Sequence, residues 1–299
     1  MSLLQTALES GTFAVTAEMA PPKGFDFSRQ LETAQLLKGK LHGINVTVMQ
    51  SACLKASSLG LCAHLKLQGL EPILQVTGRD RNRMGILSDI LSAASFGIDA
   101  MLALTGDHPV VGDCKDSKPV YDLDSVGILQ MLSAMEETGK DCGGNVLSSV
   151  PHFFKGASVT PVYEPIALQL HKLRQKVDAG AGYIQTQGIF DLESLKRFLD
   201  AVDRANIHVP IMAGIIPLKS AGMAKFMNEN VPGIAVPQAQ IDALANAKAE
   251  GKKPSMLGIE LAAELIGRIR EEGLCPGVHI MAIGAEENVP MILEKAGIQ

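Results

Sequence analysis

The sequence predicts an α/β protein built as a single (β/α)8 TIM barrel over residues 1–299. Three observations carry that expectation. Short apolar runs with β character recur along the chain, each followed by a longer stretch with helical spacing, which is the pattern of parallel strands joined by crossover helices. The runs number eight, the count at which such a sheet closes on itself. No stretch rich in Pro, Gly or Ser divides the chain, so 299 residues with 46% hydrophobic content read as one core.

In order, the predicted strands are TFAVTAEM (12–19), GINVTVM (43–49), PILQVTG (72–78), AMLALTGD (100–107), ASVTPV (157–162), GYIQTQG (182–188), VPIMAGII (209–216) and VHIMAIG (278–284). Helical stretches such as DFSRQLETAQLLKG, RMGILSDILSAASFG, IALQLHKLRQKVDAG and LESLKRFLDAVDRAN lie between them, several ending in Gly as helix C-caps do. No G-x-G-x-x-G follows the first strand, which disfavours an open dinucleotide-binding sheet, and DAGAGY (178–183) precedes a strand and reads as an αβ loop.

Composition narrows the function. A formal net charge of −5 gives no basic footprint, and with no Trp and 4% aromatic residues there is no stacking surface for bases, so nucleic acid is not an expected partner. No apolar run approaches the roughly 20 residues that span a bilayer, and MSLLQTALESG lacks the charged start and cleavage site of a secretory signal. The expected location is the cytoplasm, away from membranes. The five cysteines are scattered, never C-x-x-C, and read as free thiols. No histidine pair has metal-ligand spacing, so no metal is expected.

Barrel strands turn alternate residues inward. Period two therefore groups Thr16 with Glu18, Asn45 with Thr47, Gln75 with Thr77, Thr105 with Asp107, and Gln185 with Gln187, each pair in the C-terminal half of its strand. That end of such barrels carries the active site, whereas a packed interior layer would be Val, Ile and Leu. Glu18 and Asp107 are the candidate catalytic carboxyl groups: desolvation in a partly apolar mouth favours the protonated form, which lets a carboxyl act as a general acid. Asp107 after a Gly also fits a turn or helix N-cap, and the glutamines also fit mutual pairing in the interior. Glu18, followed by Met-Ala-Pro-Pro, has no helix start to cap. GRDRNR (78–83) reads as a solvated loop ending in an N-cap, and His108 before Pro109 as a turn residue.

TAEMAPPKG, EPILQVTGRDRNR, LALTGDHP, KPVYDLDS, KVDAGAGYIQTQGIFD, MAGIIPL and GVHIMAIG, in this order and spacing, resemble the methylenetetrahydrofolate reductase family over nearly the whole chain. The resemblance implies a barrel that carries a flavin, FAD in preference to FMN, and reduces 5,10-methylenetetrahydrofolate to 5-methyltetrahydrofolate. It implies hydride passed through flavin N5 from NADH or NADPH, or from an electron-supplying partner subunit, in a homo-oligomer or heteromer. By the same resemblance Glu18 protonates the folate N10, Asp107 contacts the pterin near the flavin, and Gln185 and Gln187 face substrate. Thr47, Gln75, Thr77, Thr105, Gly106, Asp107, Tyr121 and Lys176 fall at cofactor positions, Lys176 on the phosphate side.

The chain departs from the family pattern at Gln75, Thr105, Val48, Met49, Gly284 and Ala285, where relatives carry other polar residues. These departures leave open a flavin-free enzyme. A folate-binding barrel that transfers a methyl group without redox chemistry, and the folate-reducing subunit of a larger electron-transfer complex, also stay open.

Overall fold

The structure, a computed structural model, describes residues 1–298. Eight parallel strands close into a barrel in sequence order, β1 pairing with β8. They are β1 (Ala14–Met19), β2 (Gly43–Val46), β3 (Pro72–Thr77), β4 (Ala100–Leu104), β5 (Phe154–Val159), β6 (Tyr183–Ile189), β7 (Ile211–Ile215) and β8 (Gly277–Ile280). The helices are α1 (Leu3–Ser10), α2 (Ser28–Leu37), α3 (Ser58–Leu67), α4 (Arg83–Ser95), α5 (Ser125–Thr138), α6 (Ile166–Asp178), α7 (Leu192–Arg204), α8 (Ala221–Asn230), α9 (Gln238–Ala249), α10 (Pro254–Glu271) and α11 (Val289–Lys295). No helix among the described residues is long and apolar enough to cross a membrane.

The fold class matches the expectation, with local differences: β2, β4 and β8 end at Val46, Leu104 and Ile280, short of the predicted runs, and three further differences follow. β5 begins at Phe154, three residues before the predicted run, because Lys155 is not an apolar signal yet is held outside the sheet by an ion pair with Glu136 of α5. α1 was not among the predicted elements. It lies at the N-terminal end of the barrel, where Leu4 and Ala7 join Ala14, Ile73, Ala100, Leu102 and Met212 in an interior cluster. Between β7 and β8 stand three helices, α8, α9 and α10, where the pattern called for one. Ala224, Met227, Ile241 and Leu244 of the two additional helices pack with Phe190, Ile216 and Met281 at the ends of β6, β7 and β8.

Helix starts follow local chemistry. Asn82, Asp124 and Asp191 are N-caps whose side chains accept from Gly85, Gly127 and Ser194 N–H, so the RDRN loop does end in a cap. Outward-facing strand residues such as Val15, Ala17, Met101, Ala103, Ile184 and Ala213 meet the helices in the main core.

The interior is graded from apolar to polar. At the lower end Tyr183 is fully buried, stacked on Phe154, and its hydroxyl donates to Met101 O at 3.0 Å. Gly156 makes the room, since a Cβ there would lie 2.2 Å from the ring. Above this floor sits a layer of Thr16, Asn45, Gln185 and His279, all 2% exposed or less. A polar layer inside a barrel costs stability unless its members satisfy one another, and these are hydrogen-bonded to each other except at Asn45 Oδ1, which has no partner among the described residues.

Candidate active site

Register builds the polar layer. Thr16 lies beside His279 across the β1–β8 seam, and Glu18 lies beside Asn45 across β1–β2. Asn45 Nδ2 donates to Gln185 Oε1 at 2.7 Å, and Gln185 Nε2 donates to Thr16 Oγ1 at 3.2 Å. Thr16 Oγ1 meets His279 Nδ1 at 2.9 Å. On the far side of the imidazole, Nε2 lies 3.7 Å from Glu18 Oε1. Glu18 Oε2 accepts from Gln50 Nε2 at 3.4 Å. Two residues above Thr16 on the same inward face, Glu18 stands at the C-terminal mouth with its side chain 13% exposed.

Gln185 lies beneath the mouth, 2% exposed, with its amide oxygen accepting from Asn45 and its amide nitrogen donating to Thr16. Gln187 is higher and more open, its Oε1 accepting from Gly188 N–H at a register irregularity in β6. Gln75 and Thr77 continue the inward face of Ile73 on β3, and Thr77 Oγ1 donates to Asp80 at 3.0 Å. Thr47, just past β2, is 2% exposed, and among the described residues its Oγ1 has no hydrogen-bond partner.

Strand 4 requires a correction. Its inward residues are Ala100, Leu102 and Leu104, so period two would place Thr105 and Asp107 on the outer face. Thr105 is indeed turned toward α5, where its Oγ1 accepts from Ser125 N–H at 3.2 Å. The strand ends at Leu104, and Gly106 follows with φ +89°, which breaks the alternation. A Cβ on Gly106 would lie 3.0 Å from Arg79 Cβ and 3.2 Å from Thr77 Cβ, so the loop crosses the end of β3 closely. Asp107 sits exposed on the rim beyond this turn. Tyr121 lies over the same turn, its hydroxyl donating to Gly106 O at 3.1 Å, and burial pushes the phenol up.

Arg79 is 2% exposed and is no solvated loop residue. Its guanidinium donates to the Asp80 carboxylate, to Met49 O and to Asp107 O, the last two at 3.3 Å. One cation thus ties the loops after β2, β3 and β4 together. Backbone strain collects in the same region: Met49, Ser51, Ala52, Tyr121 and Ile283, all on loops at the mouth, have positive φ. His108 accepts from Val110 N–H and is the turn residue expected.

Lys176 lies in the last turn of α6, and its Nζ donates to Ser158 O of β5 at 2.6 Å. Burial, then the neighbouring Lys172, pushes the ammonium down to about 8. Among the described residues it has no carboxylate within ion-pair distance.

Sequence reasoning passed over His279, Gln50 and Arg79. For His279 a signal existed: it is the one polar residue in an apolar run and falls on the inward parity of β8. Gln50 and Arg79 lie in loops, where periodicity carries no information about direction. Among the described residues no three His, Cys, Asp or Glu side chains are arranged to hold a metal.

The family profile described as Methylenetetrahydrofolate reductase matches residues 3–297. A Caenorhabditis elegans protein described as probable methylenetetrahydrofolate reductase (NADPH) is 26% identical over 255 residues, covering 84% of this chain and 35% of the nematode protein. The chain therefore spans about a third of the length of that relative. The 5,10-methylenetetrahydrofolate reductase of Salmonella typhimurium is 26% identical over 232 residues, covering 77% of this chain and 72% of the relative. Among solved structures, a Clostridium thermocellum protein described as binding two copies of 5-methyl-5,6,7,8-tetrahydrofolic acid superposes with a TM-score of 0.66 at 16% identity, each chain covered in full. That likeness concerns the fold.

Proposed function

This chain belongs to the methylenetetrahydrofolate reductase family, and from that premise we propose that it reduces 5,10-methylenetetrahydrofolate to 5-methyltetrahydrofolate in the cytoplasm, with Glu18 as the general acid. The observation that carries the proposal is the place of Glu18: a carboxyl at the C-terminal mouth, between Gln50 and His279, above a buried, hydrogen-bonded polar layer. The folate bound by the Clostridium thermocellum protein of the same fold agrees with a folate substrate.

Opening the five-membered ring of methylenetetrahydrofolate requires a proton on N10, which leaves an iminium carbon ready to be reduced. Glu18, at the mouth with its side chain 13% exposed, is the carboxyl group we assign to give that proton to a bound folate. Asp107 and Gln187 supply polar contacts on the rim, Asp107 facing the pterin side. Arg79 holds the loop that carries Asp107.

The residues present fit a flavin. Thr47 Oγ1 is a buried hydroxyl with no protein partner, and the Lys176 ammonium is partly buried without a counter-ion among the described residues, which suits an oxygen-rich anionic cofactor. Thr47, Thr77, Gly106 and Tyr121 would hold it at the mouth, Gln75 from beneath, and Lys176 on its phosphate side, with FAD preferred to FMN. When bound, the flavin supplies the two-electron chemistry that links NADH or NADPH to folate.

The test is spectroscopic. Purified protein loaded with FAD is expected to lose its visible absorption on addition of NADH or NADPH and to recover it on addition of methylenetetrahydrofolate, with methyltetrahydrofolate formed. Recovery with oxygen alone, and none with the folate, would overturn the assignment.

A further inference from the structure

We infer that His279, held by a chain of buried hydrogen bonds, is a positioning residue for Glu18, turning a ring N–H toward its carboxylate at 3.7 Å, a separation that closes to a hydrogen bond when the carboxylate is charged. The inference rests on the reading of Glu18 as the proton donor. It goes beyond that reading by naming what holds the carboxyl in place and receives its charge.

Direction along the chain follows from what each group can donate. Asn45 gives an amide N–H to Gln185 Oε1, and Gln185 gives one to Thr16 Oγ1. With Gln185 donating to its oxygen, Thr16 keeps its one proton free to give to His279 Nδ1, 2.9 Å away, and we assign that direction to the bond. Nδ1 is then an acceptor and the ring proton sits on Nε2, the nitrogen that faces Glu18 at 3.7 Å. His279 is 2% exposed. When the proton leaves Glu18 for a folate nitrogen, the carboxylate left behind meets this N–H and the amide of Gln50. A water molecule then returns the proton to Glu18 for the next cycle.

Among the described residues no other charged group lies within ion-pair distance of Glu18. Within the barrel the layer around Thr16 is made of amides, a hydroxyl and the imidazole. The turn 286–288 after β8 packs beside β1 and brings Glu286 and Glu287, of which Glu286 accepts from Gly284 N–H. Lys219, in the loop after β7, donates to Ile283 O. In the loops after β2 and β3, Gln50 carries no charge and the cation of Arg79 is paired with Asp80. Asp107, in the loop after β4, is exposed on the rim.

Two substitutions separate positioning from packing. His279→Gln keeps an N–H donor near the position of Nε2, whereas His279→Asn keeps a polar group at the Thr16 end and has nothing that reaches Glu18. In the flavin-loaded enzyme, His279→Asn is expected to move the pH at which folate reduction falls off upward by about one unit, because an anion that loses its donor forms less readily. Its kcat is expected to fall about tenfold with KM for folate changed less than twofold. His279→Gln is expected to keep the wild-type pH profile. The infrared carboxyl band that Glu18→Gln removes gives the same comparison without turnover, and thermal melting of each variant checks the fold. Equal displacement in both variants, or none in either, overturns the inference while leaving Glu18 as the acid. A Glu18→Gln enzyme that still reduces folate at the wild-type rate overturns the underlying reading instead.

Discussion

Thr16 of β1 and His279 of β8 stand side by side in register where the barrel closes, 2.9 Å apart between Oγ1 and Nδ1, although 263 residues separate them in sequence. Closure of the cylinder, and no local feature of either strand, puts a hydroxyl on one nitrogen of the imidazole and leaves the other facing Glu18. The chemistry proposed for the mouth depends on that seam.

Glu18→Gln removes the proton while keeping the shape. Folate reduction is expected to fall by a factor of about 10²–10⁴, the range for loss of a general acid, while reduction of the flavin by nicotinamide changes little. Stopped-flow measurement of the two half-reactions separates them, and an equal loss in both would reassign Glu18 to support of the site.

Gly106→Ala tests the turn that re-aims the chain after β4. The substitution places a Cβ at φ +89° within 3.0 Å of Arg79 Cβ, whereas Gly144→Ala has a similar φ of +84° and open space around it. Both are expected to lose about 1–2 kcal/mol from backbone strain. Gly106→Ala should lose more than Gly144→Ala in urea unfolding and should also raise KM for folate, since Asp107 follows directly.

Gly156→Ala tests the apolar floor. Its Cβ would fall 2.2 Å from the buried Tyr183 ring, so overpacking is expected to cost about 1–3 kcal/mol. In a Tyr183→Leu background, which removes the ring, the same change should be milder. Additive effects in the double variant would show that the two positions are not coupled.

Lys176 gives a pH dependence with a definite sign. Its ammonium is pushed from 10.5 down to about 8 by burial, so between about pH 8 and 10.5 the unfolded chain holds a proton that the folded chain has released. Stability rises with pH wherever the unfolded state binds more protons. Relative to Lys176→Met, the wild type is therefore expected to gain stability across that window and to show no such gain below it. Urea unfolding of both proteins at pH 7 and pH 10 checks this, and a constant difference would contradict the buried position of Nζ.

How much of the molecule was legible beforehand varied with the kind of signal. The eight strands were legible because a parallel strand covered on both faces must be apolar, and an apolar run bounded by helical spacing has few other readings. Glu18 was legible for the converse reason, as a charge inside such a run with no helix to cap. Thr105 was misplaced because alternation was extended past Leu104, where the strand ends and Gly106 turns the chain. The start of β5 was missed because the partner of Lys155, Glu136 on α5, lies in a different element. Arg79 was read as solvated because arginine usually is, and only the convergence of Asp80, Met49 O and Asp107 O shows why this one is buried.

The sequence by itself determined the barrel, the end at which its polar residues collect and the carboxyl of Glu18, because each depends on periodicity within one strand. The tertiary structure alone decided which polar residues meet: Asn45 bonds Gln185, Gln185 bonds Thr16, Thr16 bonds His279, and His279 Nε2 faces Glu18 at 3.7 Å. Strand register around a closed sheet sets those pairings. Register is a property of all eight strands fitting one circumference, so no single segment of the chain encodes it.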